Sequence, residues 1–165
     1  MRYHKLKAGE CPGTYVVTEP VTEQDLLRIA NQIARQRLGK GAAITSHQAA
    51  AERLQALLQS KEREVFAALF LDNQHRVIAF EELFHGTLGS ASIHPREVIK
   101  RALALNSAAL LCAHNHPSGM PEPSYADKQI TQVLRDALAL VEVRLLDHLV
   151  IGAEGVVSFA ERGLL

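Results

Sequence analysis

The sequence predicts an α/β (α+β) fold, a mixed β-sheet flanked by helices, and three features carry that expectation. Short apolar runs rich in strand formers recur along the chain, longer stretches place apolar residues at helical spacing, and the two kinds mix without strict alternation. At 165 residues, 47% hydrophobic and without tryptophan, the chain can bury one full core and suits a single domain with a modest extension.

The elements follow in order. Thr14 to Thr18 is rich in strand formers and bracketed by Pro12 and Pro20, so residues 1 to about 20 read as an irregular or short-strand arm. Thr22 then caps a helix through about Leu38, with Leu26, Ile29, Ala30 and Ile33 on its apolar face and Gly39 and Gly41 ending it. A second amphipathic helix, about Ser46 to Gln59, carries Ala50, Leu54, Leu57 and Leu58. The run Val65 to Leu71 reads as a central strand, with a turn at Asp72-Asn73-Gln74 and a second strand around Arg76 to Glu82. A third strand is expected around Thr87 to Ile93, then a helix from Pro95, where proline suits the first turn, to about Leu105. Ala108 to Ala113 forms another buried strand. The helix from Tyr125 to about Val141 carries Ile130, Val133, Leu134, Ala137, Leu138 and Val141 on one stripe, and strands at Val143 to Ile151 and Val156 to Phe159 close the chain. Residues 1–60 are thus expected to form an arm and a two-helix extension, and residues 61–165 the main domain.

Composition excludes several classes of function. Eighteen basic residues balance eighteen acidic ones, which argues against nonspecific attraction to nucleic acid or an anionic membrane. Two cysteines about a hundred residues apart, with no signal peptide and no long apolar span, fit a reducing cytoplasm.

The most informative stretch is His114-Asn115-His116-Pro117-Ser118-Gly119, followed by Ser124 and Asp127. Side chains at i and i+2 of a strand point the same way, so His114 and His116 share a face. Pro117 and Gly119 end the strand, Pro121 and Pro123 keep the next stretch extended, and Ser124 sits where a helix would begin. Asp127, in the first turn of that helix, can face back toward the histidines. Two imidazoles and a carboxylate are the three protein ligands of a catalytic zinc site, whose fourth position is left to a water made acidic by the metal. Each residue also has a plainer reading. Ser124-Tyr125-Ala126-Asp127 has the form of a helix cap, and paired histidines are often structural. Caps do not require His-x-His upstream, however, and structural histidines do not require an acidic residue at the next helix start.

Outside this cluster, Asp147 and His148 are a polar pair inside the apolar stretch Val143 to Ile151, and they read as bracing the site or the sheet rather than as catalysts. Cys112 shares the parity of His114 but reads as a small buried hydrophobe. His47, His75, His85 and His94 show no ligand spacing.

The spacing His114-x-His116, seven residues, Ser124, two residues, Asp127 resembles the motif of the JAMM, or MPN+, zinc hydrolases. Pro117-Ser118-Gly119, Pro121-x-Pro123-Ser124, Gly86-Thr87, Pro95-Arg96-Glu97 and Leu146-Asp147-His148 further resemble the bacterial RadC branch, over about Lys61 to Leu165. The resemblance implies a cytidine-deaminase-like JAMM/MPN sandwich and one Zn2+ per chain on His114, His116 and Asp127. It also implies that Ser124 helps polarise the scissile carbonyl and that a glutamate opening the first core strand is the general base. Glu64 holds that place, with Glu62, Glu81 and Glu82 as rivals.

The resulting expectation is a zinc metallopeptidase cutting a peptide or isopeptide bond in a protein or peptide substrate, with no membrane association. The alternative is a DNA-repair-associated accessory protein bearing a metal site. Longer RadC-type proteins are expected to carry a helix-hairpin-helix region, of which Gly39-Lys40-Gly41 is the only hint here, so neutral charge and the short N-terminal part disfavour nucleic acid. An HNH nuclease is disfavoured because its three residues are dispersed through a hairpin and helix, and a zinc deaminase because Pro-Cys-x-x-Cys is absent. The segments 82–95 and 117–123 are expected to line the cleft. The sequence does not set the oligomeric state.

Overall fold

The structure, a computed structural model, describes residues 5–44, 46–87 and 92–165. It begins with a small antiparallel hairpin, β1 (Leu6–Ala8) paired with β2 (Tyr15–Val17). Helix α1 (Glu23–Arg37) follows, and Thr22 and Asp25 close a reciprocal capping box at its start. Lys5 reaches Asp25 at 2.9 Å and ties the arm to the helix. The face α1 buries is rotated from the expected one: Ile29, Ala34 and Leu38 are buried, whereas Leu26 and Ala30 are exposed. Helix α2 (His47–Leu58), capped by Ser46, buries Ala50, Leu54, Leu57 and Leu58 as its spacing requires.

The main sheet has five strands in the order β4-β3-β5-β6-β7. β3 (Val65–Leu71) is buried throughout, β4 (Val77–His85) forms one edge, and β7 (Gly155–Ser158) forms the other. β5 (Ala109–Asn115) pairs antiparallel with β3 and parallel with β6 (Arg144–Gly152), and the other pairs are antiparallel. The mixed sheet with helices on both faces is the α+β arrangement expected from the sequence. The expected strand around Thr87 to Ile93 falls largely outside the described residues, as does the His47 side chain, and Thr87, Ser92 and Ile93 themselves are not in a strand.

Alternation along the strands builds two cores. Val65, Ala67, Leu69, Leu71, Leu111 and Ala113 pack on one face against Leu38, Leu54, Leu57 and Leu58. This core is continuous across residue 60. On the other face Phe66, Ala68, Phe70, Leu110 and Cys112 pack against α3 (Pro95–Ala104) and α4 (Tyr125–Ala139), through Val98, Ala102, Leu134 and Leu138. Each such fully buried large side chain contributes about 1.5–3 kcal/mol of transfer free energy. Val133 is exposed and Thr131 buried in its stead, so the inner stripe of α4 carries polar groups at its N-terminal end. The β5-α4-β6 crossover leaves the sheet at the carboxyl end of β5.

Candidate metal centre

His114 lies near the end of β5 and His116 just beyond it, with residues 117–124 leading from there into α4. Their Nε2 atoms are 3.0 Å apart. Asp127, in the first turn of α4, places Oδ1 3.3 Å from His114 Nε2 and Oδ2 3.5 Å from His116 Nε2. One donor atom from each of the three falls within 4.8 Å of the others, a group that could hold a metal ion.

The hydrogen bonds around the histidines test whether the donors are free to do so. His116 Nδ1 is 2.9 Å from the Met120 carbonyl, which can only accept, so Nδ1 carries a proton and Nε2 is the nitrogen turned to the cluster. His114 Nδ1 lies 2.8 Å from His148 Nε2, turned away from the cluster. Two imidazole nitrogens 3.0 Å apart and a carboxylate converge on one point, a place that either a shared proton or a cation can fill. The donor set therefore fits a divalent transition metal. Without metal a proton takes that place. The Asp127 hydrogen bond above all, against opposing burial, raises the pKa of His116, with Met120 O and the charges of Asp127 and Glu64 adding to it. Burial works to raise Asp127, but its contacts with His114 and His116 and the Ser124 hydrogen bond overcome it and hold this carboxyl far below the usual range.

Ser124 caps α4 and also bonds the Asp127 carboxylate. Its hydroxyl accepts from Asp127 N at 3.1 Å and donates to Asp127 Oδ2 at 2.6 Å, while its own amide donates to Oδ2 at 2.7 Å. The capping box thus aims the carboxylate, which leaves Oδ1 toward His114.

Glu64 precedes β3, and its backbone bonds to Thr87 and Gly86 in both directions. Phe66 pairs with His114, so by alternation Glu64, two residues earlier, takes the histidines' face of the sheet. It is buried, and its charge is felt at His116. Of the other glutamates, Glu81 pairs with Arg101, Glu82 pairs with Lys61 and His85, and Glu62 is exposed.

Two supports were not legible in the sequence. Asn115, between the histidines and on the opposite face, accepts from Val65 N at 2.8 Å and donates to Arg63 O at 3.0 Å and Lys61 O at 3.3 Å. It clamps the segment that carries Glu64 to the strand that carries the ligands. The second is Gly152 at the end of β6, where any Cβ would run into the Gly119 carbonyl. Its absence lets the 117–123 loop close down, with Gly119 at φ 89°, and brings Met120 O to His116. Asp147 is fully buried and accepts from His148 N, Ala160 N and Ser158 Oγ at 2.7, 2.9 and 2.7 Å, bracing the turn after β7. Cys112 is buried in the core, where desolvation first and the Asp147 charge second push its thiol pKa up. His85 bonds Glu82 and His94 packs edge-on against Phe84, both away from the metal group. Among the described residues, no helix is long and apolar enough to cross a membrane.

Comparison with known proteins places this geometry in context. The family model described as RadC-like JAB domain matches residues 44–164. A UPF0758 protein of Methylibium petroleiphilum is 60% identical over 140 residues, which cover 85% of this chain and 63% of that protein. One of Thioalkalivibrio sulfidiphilus is 58% identical over 142 residues, 86% of this chain and 63% of that protein. A UPF0758 protein of Vibrio cholerae is 52% identical over 151 residues, 92% of this chain and 95% of that protein. The match thus spans 63% of the length of each of the first two relatives.

Proposed function

The chain belongs to the RadC-like JAB domain family, and from that premise and the metal centre we propose that it is a zinc-dependent hydrolase of peptide or isopeptide bonds. The observation that carries this reading is the convergence of two imidazole nitrogens and one carboxylate beside a buried glutamate. Three protein ligands of this kind are the catalytic rather than the structural zinc set, because they leave a position open. Zinc bound there supplies Lewis acidity, which polarises a carbonyl and brings the pKa of a water to about 7.

His114, His116 and Asp127 would hold the ion. Glu64 takes a proton from the attacking water as the water oxygen bonds to the carbonyl carbon. It then delivers that proton to the nitrogen as the C–N bond breaks, so the carboxylate is regenerated. The Ser124 hydroxyl, which donates to Asp127 at rest, turns its proton to the developing oxyanion. Asn115 fixes the distance between Glu64 and the ligands through the 61–65 segment. The substrate is an extended protein or peptide segment entering between the 117–123 loop and the end of β4, an edge strand of the sheet. We place the protein in the cytoplasm, where its two unpaired cysteines, Cys11 and Cys112, suit a reducing environment.

Turnover of quenched peptide pools by the zinc-loaded chain tests the reading. Glu64→Gln should keep the metal and lose about 10²–10⁴-fold in rate. A Glu64→Gln protein with full activity would remove Glu64 from the mechanism, and a zinc-loaded wild type that cuts no peptide or isopeptide bond would remove the hydrolase.

A further inference from the structure

Behind His114 stands a buried chain of hydrogen bonds that neither the ligand set nor the proposed mechanism uses. Thr131 Oγ1 donates to the Asp127 carbonyl at 2.5 Å, and a hydroxyl has a single proton. At its 2.6 Å contact with His148 Nδ1 the same oxygen must therefore accept. That places the His148 proton on Nδ1 and leaves Nε2 as acceptor, 2.8 Å from His114 Nδ1. The His114 proton is then on Nδ1, and its Nε2 lone pair faces His116 and Asp127. All three side chains are at most 1% exposed. The His148 ring has little freedom to turn, since it stacks on Phe159 with centroids 4.9 Å apart and receives the edge of Phe66 at 5.6 Å.

We propose that Thr131 and His148 are positioning residues that lock His114 in its metal-binding tautomer. The lock starts from the backbone of Asp127, itself a ligand, so the two ligands are joined behind the metal as well as through it. In the opposite order, with Thr131 donating to His148, every proton shifts by one place and His114 Nε2 carries a hydrogen where the metal must bind. The Thr131 bond to Asp127 O excludes that order. The inference rests on the metal centre described above but not on which bond the protein cuts.

The test uses the full chain stripped of metal. Nitrogen-resolved NMR of the imidazoles reports the tautomer, and competition with a chromophoric chelator reports Zn2+ affinity. In wild type His114 should carry its proton on Nδ1 before metal is added. Thr131→Val, which keeps shape and removes the hydroxyl, should leave His114 a mixture of tautomers and weaken Zn2+ binding about 10–100-fold, and Thr131→Ser should restore both. His148→Phe should weaken binding to a similar extent. Should that ring fail to fold, Thr131→Val decides alone, because it disturbs no ring packing. A His114 protonated on Nε2 in the metal-free wild type, or a folded Thr131→Val protein with affinity within about twofold of wild type, overturns the proposal. An intact lock in a chain that cleaves nothing would instead count against the hydrolase and leave this inference standing.

Discussion

His116 is where proton and metal compete for one lone pair. Its pKa is raised chiefly by the hydrogen bond to Asp127, above the ordinary value of 6.5. A histidine whose folded pKa exceeds its unfolded one stabilises the metal-free fold fully below the unfolded value, and that contribution fades as pH rises through the folded value. Metal binding requires the proton to leave, so apparent Zn2+ affinity should fall about tenfold per pH unit below the folded pKa. Competition titrations across a pH series check this, and an affinity flat from about pH 5 to 8 would contradict it. Asn115 gives a second expectation at this scale. Asn115→Ala leaves Val65 N and the Lys61 and Arg63 carbonyls without their side-chain partner. It should cost about 1–3 kcal/mol in denaturant unfolding. Metal content should persist while turnover falls, because Glu64 moves and the ligands do not. His-x-His, Ser124 and Asp127 were readable because their relation is short-range along one strand and one helix turn. Thr131 was not, nor was the partner that His148 braces, since their bonds to each other and to His114 span 17 and 34 residues. The only trace was the Asp147-His148 pair within an apolar run.

At the scale of elements, α4 aims Asp127 and the 117–123 loop aims His116. Ser124→Ala removes the cap and should cost about 1 kcal/mol. It also removes the donor to Asp127 Oδ2, so turnover should fall further than that stability loss explains. Equal turnover at a temperature where both proteins are folded would reduce Ser124 to a cap. Gly152→Ala should push the loop off the sheet end, withdraw Met120 O and weaken metal binding without changing any ligand. The strands and helices were legible from their periodicity, but which way a helix turns its apolar side was less so. Leu26 and Val133 match the spacing of inward residues and are exposed, while Asp25 and Thr131 take inner positions because hydrogen-bond partners satisfy them. A pattern of apolar residues cannot report a polar group whose partner comes from elsewhere in the chain.

For the molecule as a whole, the site joins pieces that share one core. Leu54 and Leu57 of α2 pack on the same sheet face as Ala113, one residue before His114, so the helices before residue 60 bear on the metal strand. Leu54→Ala should cost about 2–5 kcal/mol in denaturant unfolding. Metal stabilises the assembled state in turn: at free zinc 100-fold above Kd the gain is about 2.7 kcal/mol, and chelation should remove it from the thermal midpoint. The measurement that bears most directly on all of this is metal content by elemental analysis of the purified wild type and His116→Ala. About one zinc per chain, lost in the variant, is the expected result. No metal in either protein after refolding with excess zinc would mean that the three converging side chains do not form a metal centre.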